Sequence, residues 1–181
     1  MNNTSIYTMS TKSSFNIVPV RTAEDLKAIV NLFRMYAESL SIDLTFQDFE
    51  NEMATMPGKY VPPTGELLLA RNSQGEPVGC VALRALGSSN YGCCEMKRLY
   101  TVPAARSTGI GKALVITILD IARTLGYEEI KLDTLPTMEA AIGLYKKVGF
   151  VETEAYYDTP LAETIFLVCS LQNSERVTVR L

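Results

Sequence analysis

Histidine is absent from all 181 residues. That excludes imidazole acid–base chemistry, Ser-His-Asp and Cys-His catalysis, and His-ligated zinc. Any general base must be a carboxylate, a Tyr, a Cys, a Lys or a water held by the backbone. Cysteine is sparse, at positions Cys80, Cys93, Cys94 and Cys169. No two of them form a C-x-x-C pair, so a zinc ribbon or a thioredoxin-type dithiol has no support and no metal is expected. The adjacent Cys93 and Cys94 lie in strand-like sequence and read as small core residues. This usage fits a reducing, cytoplasmic setting. No apolar run approaches the ~18 residues of a membrane span. Residues 1–14 are rich in Asn, Thr and Ser and lack the apolar stretch of a signal peptide. A basic excess is missing as well: 17 Lys and Arg face 20 Asp and Glu, for a net charge of −3. A chain built to neutralise phosphate is usually basic, so neither nucleic acid nor membrane is expected as a partner.

What remains is an ordinary globular balance, 47% apolar and 20% charged, in a length that suits one domain. Residues 1–14 read as a lead-in, 15–171 as a single domain and 172–181 as a tail. A short β-branched strand is predicted over 16–20. Thr22 followed by Asp25 resembles a capping box, and Leu26, Ile29, Val30, Phe33, Tyr36, Ala37 and Leu40 then recur at helix spacing. A second helix is expected over 46–53, then a Pro- and Gly-punctuated loop over 56–65. Strands are predicted over 66–71, 78–86 and 92–101, joined by turns at 72–77 and 87–90. A helix over 109–125 is apolar on most sides, which implies burial, and Gly126 stops it. A strand over 129–133, a helix over 137–148 ended by Gly149, and strands over 150–154 and 164–170 complete the order. Three consecutive antiparallel strands exclude a doubly wound parallel sheet. The expected class is mixed α/β (α+β), with a mainly antiparallel central sheet flanked by helices. Val177-Thr178-Val179 in the tail is a further candidate for strand pairing, including pairing between two copies in a homodimer.

The most informative stretch is Arg106-Ser107-Thr108-Gly109-Ile110-Gly111-Lys112-Ala113, which follows a strand and opens a helix. Helix-start amides have no internal acceptor, and together with the helix dipole they favour a phosphate. Arg106 and Lys112 add positive charge. The stretch fails as a P-loop, because Arg106 stands at the first Gly position and Ala113 at the Ser/Thr position. It fails as a Rossmann fingerprint, because Leu114 stands where the third Gly is required and the strand ends an antiparallel run.

Arg-x-x-Gly-x-Gly after a strand ending Leu99-Tyr100-Thr101-Val102-Pro103 resembles the acetyl-CoA loop of the GCN5-related N-acetyltransferases, the GNAT family. Downstream, Ala141-Ile142-Gly143-Leu144-Tyr145-Lys146-Lys147-Val148-Gly149-Phe150 resembles that family's A-x-x-L-Y-x-x-x-G-F segment. Both stand in the family's order and spacing, and the resemblance covers residues 16–171. It implies a GNAT-like acyl-CoA acyltransferase fold and an enzyme that moves acetyl from acetyl-CoA to a primary amine of a small molecule or peptide. It also implies site residues. The backbone of Leu99, Tyr100 and Thr101 would pair with the pantetheine arm. Arg106 to Ala113 would wrap the pyrophosphate. The Leu99 N–H would polarise the thioester carbonyl, and Tyr145 would protonate the departing thiolate. Tyr145 also falls on the apolar stripe of its helix, so core packing is its other reading.

For the base, Glu95 lies eleven residues before Arg106, the spacing of the catalytic glutamate in the histone-acetyltransferase branch. Strand alternation puts Glu95, Lys97, Leu99 and Thr101 on one face, provided no bulge intervenes. The competing reading of Glu95 is a surface pair with Lys97. Asp133, at the end of the next strand, is the second candidate base. Two positions depart from the family pattern: Ser107 stands where Gly is usual, and Met138 stands where many members carry an Asn that bonds the pantetheine arm. A ping-pong route through Cys93 or Cys94 is disfavoured, because neighbouring Glu95 opposes a thiolate. Direct attack in a ternary complex is expected. The alternative is a non-catalytic acetyl-CoA sensor. The first helix pair, the 56–65 loop and Tyr156-Tyr157 are expected to shape the acceptor pocket.

Overall fold

The computed structural model describes residues 14–40, 42, 48–87 and 92–172. Several expectations lie outside them: the lead-in over 1–13, the start of the second helix at Phe46, the turn at Ser88 to Asn90, and the tail pairing at Val177 to Val179.

The elements follow the expected order. They are β1 (Phe15–Pro19), α1 (Ala23–Ser39), α2 (Phe49–Ala54), β2 (Glu66–Asn72), β3 (Pro77–Ala85), β4 (Cys93–Thr101), α3 (Ile110–Thr124), β5 (Glu129–Thr134), α4 (Glu139–Lys147), β6 (Val151–Glu152) and β7 (Ile165–Ser170). A short 3₁₀ turn, Pro103–Ala105, precedes α3. Thr22 caps α1, its hydroxyl accepting from the Asp25 N–H at 3.1 Å and donating to Asp25 Oδ2 at 2.8 Å. That secures one of the four amides a helix start leaves unpaired.

The seven strands form one sheet in the order β1-β2-β3-β4-β5-β7-β6. Every neighbouring pair is antiparallel except β4 and β5, which run parallel. Helices cover both faces, so the central strands are apolar on both sides. Leu67, Leu69, Cys80, Ala82 and Tyr100 pack toward α1 and α2 with Ile29, Leu32, Phe33 and Phe49. Leu68, Val81, Leu83, Cys94 and Met96 pack on the other face against Leu114, Val115 and Ile118 of α3 and against Tyr145 of α4. Cys94 is fully buried, as a small core residue should be, and no disulfide joins the four cysteines.

The alternation expected along β4 is broken. Lys97 pairs with Ala82 and Tyr100 with Cys80, so Arg98 and Leu99 together oppose the single residue Val81. This is a β-bulge, and Arg98 takes a positive φ of 57° within it. The bulge corrects the face assignment. Glu95 and Lys97 share their face with Tyr100, the α1/α2 side, while Leu99 packs on the α3 side and Thr101, opposite Gly79, points there too. A single inserted residue reverses the period-two pattern beyond it. The same region ends a ladder. β4 and β5 pair only at Cys93↔Glu129, Cys94↔Ile130 and Glu95↔Lys131 among the described residues. Past that point the two strands do not pair, and among the described residues Leu99, Tyr100 and Thr101 have no strand neighbour on the β5 side.

Candidate active site

A cleft opens where β4 and β5 part. Lys97, Arg98 and Leu99 line it from β4, Leu132, Asp133 and Thr134 from β5, and Met138 and Tyr145 from the α4 side. Tyr36 of α1, Leu40 just after that helix and Tyr157 line it as well.

One end of this region is the loop before α3. Arg106, Ser107, Thr108 and Gly109 are exposed. Ser107 and Gly109 both have positive φ, 63° and 89°. Ser107 therefore adopts the left-handed conformation that the family's usual Gly would take without strain. The Thr108 hydroxyl donates to Ala105 O at 2.6 Å and fixes the loop from within. Ala113 is the first residue of α3 whose amide finds a helical acceptor, Gly109 O at 3.0 Å. The amides before it, from Ser107 to Lys112, have no backbone acceptor among the described residues. Six successive donors at a helix start suit an anion with several oxygens, such as a pyrophosphate. Gly111 fits this reading. A Cβ there would meet only Thr101 Oγ1 at 3.7 Å and Leu144 Cδ2 at 3.9 Å, so the fold itself does not demand glycine at that position. Lys112 is exposed beside the same amides.

The other end is buried and charged. Glu95 is fully buried. Its Oε2 accepts from Arg84 Nε at 2.7 Å and Nη2 at 2.6 Å, and its Oε1 accepts from the Tyr156 hydroxyl at 2.8 Å. Lys97 Nζ stands 3.6 Å from Glu95 Oε1 and 3.4 Å from Asp133 Oδ1. The Glu95–Lys97 pair thus exists, but inside the protein rather than on its surface. Glu95 is engaged on both oxygens and does not line the cleft, whereas Asp133 does. Burial raises the pKa of Tyr156, and the charges of Glu95 and Asp133 raise it further, so its phenol stays protonated and donates.

The packing reading of Tyr145 holds, and the residue also lines the cleft. Its ring packs 5.7 Å from that of Phe150, and its hydroxyl has no hydrogen-bond partner among the described residues. Burial drives its pKa well above the usual tyrosine value. Tyr36 is pushed up to about 12, also by burial first. The Tyr157 hydroxyl is buried without a well-formed hydrogen bond, and burial followed by the Asp133 charge raises its pKa.

Of the predicted cofactor residues, Leu99 lines the cleft, while Tyr100 and Thr101 continue β4 beyond it and Arg106 to Ala113 form the separate loop that opens α3. The sequence reading did not find Arg84, the donation from Tyr156, or an ion pair between Glu52 of α2 and Arg98. These partners lie far apart in sequence and carry no local pattern. Met56 to Tyr60 of the 56–65 loop line a second cavity of about 150 Å³, together with Glu52 and Arg84. No group of His, Cys, Asp and Glu among the described residues is arranged to hold a metal, and no described helix is long and apolar enough to cross a membrane.

Comparisons with known proteins bear on the family and the fold. Residues 26–150 match the Acetyltransferase (GNAT) family. An uncharacterized N-acetyltransferase of Schizosaccharomyces pombe is 40% identical over 159 residues, covering 88% of this chain and 96% of that one. An uncharacterized N-acetyltransferase of Escherichia coli is 28% identical over 71% of this chain and 78% of its own. Among solved structures, a GNAT-family acetyltransferase of Staphylococcus aureus superposes with a TM-score of 0.72, covering 87% of this chain and 99% of its own at 19% identity. The ribosomal-protein-S18-alanine N-acetyltransferase of Escherichia coli gives 0.63, with 90% and 97% covered at 17% identity. The last two are likenesses of fold alone. The chain belongs to the acetyltransferase (GNAT) family and is an acyl-CoA-dependent N-acyltransferase.

Proposed function

We propose that this enzyme acetylates a primary amine of a small molecule or peptide, with acetyl-CoA as donor, by direct attack in a ternary complex. The observation that carries the reading is the run of acceptor-less amides from Ser107 to Lys112, leading into the gap between β4 and β5. The pyrophosphate would lie over Arg106 to Ala113, and the pantetheine arm along the open backbone edge of Leu99, Tyr100 and Thr101. Bound there, acetyl-CoA supplies an activated thioester. The Leu99 N–H donates to its carbonyl oxygen, where negative charge develops during attack. Tyr145, kept protonated by burial, donates to the departing sulfur. Met138 lines the cleft but offers no amide to the arm in place of the usual Asn.

Asp133 is the carboxylate best placed to take the amine's proton, because it lines the cleft. Glu95, the first choice on spacing, is instead engaged with Arg84, Tyr156 and Lys97, and its role is to hold Lys97 against Asp133. A cysteine relay has little support. Burial raises the pKa of Cys93 and Cys94, which disfavours the thiolate such a route needs.

The test is thiol release from acetyl-CoA against a panel of amines, polyamines, amino acids and peptides. Turnover with an amine and intersecting initial-rate lines are expected. Thermal stabilisation by CoA without any thiol release would mark a sensor instead, and parallel lines would mark a covalent relay.

A further inference from the structure

The bulge in β4 is held by a contact that the chemistry above leaves unused. Arg98 occupies the left-handed region, φ 57°, where Cβ crowds the backbone and glycine would sit without strain. Its side chain is 3% exposed and runs beneath α2. There Nε donates to Glu52 Oε1 at 3.2 Å, and Nη2 donates to Glu52 Oε2. The guanidinium carbon stands 5.2 Å from the centroid of the Phe49 ring. Glu52 accepts a further hydrogen bond from the Tyr60 hydroxyl at 2.7 Å. Burial pushes the Glu52 pKa up, but the hydrogen bond and charge of Arg98 outweigh it, so the carboxylate is held below its ordinary range and stays ionised. On the backbone side, Cys80 Sγ donates to Arg98 O at 3.5 Å.

A buried ion pair adds little net stability over apolar residues of the same volume. Its geometric effect here is specific. It clamps the residue whose peptide carries the N–H of Leu99, a residue that lines the cleft. A two-point fork on Arg98, with a ring beneath it, restricts how that peptide can turn.

We propose that Glu52 and Arg98 are positioning residues. Their pair locks the β4 bulge so that the Leu99 N–H is directed at the acyl carbonyl, and so sets how strongly that carbonyl is polarised. This rests on the reading of the Leu99 amide as the carbonyl's donor. Neither side chain needs to touch the reacting atoms.

Infrared spectroscopy of bound acetyl-CoA carrying carbon-13 at the thioester carbonyl reads that polarisation without any acceptor amine. Wild-type protein is expected to move the carbonyl stretch to lower frequency than in free acetyl-CoA. Glu52→Gln removes the charge, and Arg98→Lys keeps the charge but loses the fork. Both should lose most of the displacement while binding CoA, which has no acyl carbonyl, with unchanged affinity by calorimetry. If the variants keep the full displacement, the positioning role is overturned and the Leu99 reading stands. If wild-type protein shows no displacement, the Leu99 reading fails and takes the positioning role with it. Loss of CoA affinity in both variants, or failure of both to fold, makes the pair a structural tie alone and overturns the proposal as well.

Discussion

Arg106, Ser107, Thr108 and Gly109 are exposed, while Glu95, Lys97 and Arg98, on the strand just before them, are buried. The first group offers backbone amides at a helix start, and the second offers side-chain charges already paired with one another. The loop can greet a hydrated anion because its donors are free and little has to be desolvated. At the buried end the groups are held by one another away from water, which strengthens each interaction. A bulge separates the two regimes. It follows the last β4–β5 pair, Glu95↔Lys131, by three residues, so the break in the ladder and the change in character fall in one short stretch of β4.

The sharpest way to break this comparison sets two carboxylates of the buried end against each other. Asp133→Asn should lower kcat ~10²-fold or more with the fold intact, since it removes a proton acceptor at the cleft. Glu95→Gln should act chiefly on stability, leaving Arg84 and Lys97 without their buried partner at a cost of up to about 3 kcal/mol. Thermal melts and steady-state kinetics on both variants decide it. The opposite pattern, a stable but inactive Glu95→Gln beside an active Asp133→Asn, returns the base to Glu95.

Tyr145→Phe keeps the ring packing on Phe150 and deletes only the hydroxyl. A kcat loss of about 10²-fold at unchanged CoA affinity is expected, toward the lower end for a general acid. Wild-type kcat in this variant would leave the residue a packing element.

At the exposed end, Gly111→Val tests whether the glycine serves the ligand or the fold. Its Cβ site is open to ordinary contacts, so melting of the free protein should hold steady. CoA should bind roughly tenfold more weakly, about 1.4 kcal/mol, because the side chain stands over the amides. Calorimetry showing equal affinity would remove the pyrophosphate from this loop.

The smallest effect belongs to Ser107→Gly. Relief of a left-handed serine should stabilise the protein by about 1 kcal/mol at most, less the added freedom of glycine in the unfolded chain. A denaturant titration showing clear destabilisation would mean that the Ser107 side chain holds the loop in a way its positive φ does not reveal.

The parts of this protein that can be read along the chain are those governed by local physics. The period of Leu26 to Leu40 fixes an amphipathic helix, and Thr22 with Asp25 starts it. Glycines at 126 and 149 end α3 and α4 in positive φ, and the loop from Arg106 to Ala113 announces its free amides through its place between a strand and a helix. Alternation also places Glu95 and Lys97 side by side. It fails at Arg98, because a bulge depends on register against β3, and no residue near Arg98 encodes that register. Burial is likewise a collective property. Glu95 with Lys97 reads equally well as a surface pair until α1, α2 and the Tyr156 segment close over it. The partners that settle the roles of the charged groups come from distant segments: Arg84 for Glu95, Glu52 for Arg98, Asp133 for Lys97. A hydrogen bond needs two groups within about 3 Å, and only the closed tertiary structure brings these pairs that near. The sequence by itself determined the order of elements, the family and the loop of free helix-start amides proposed to take the pyrophosphate. The tertiary structure decided which carboxylate faces the cleft, because that depends on how the sheet breaks and what packs over it.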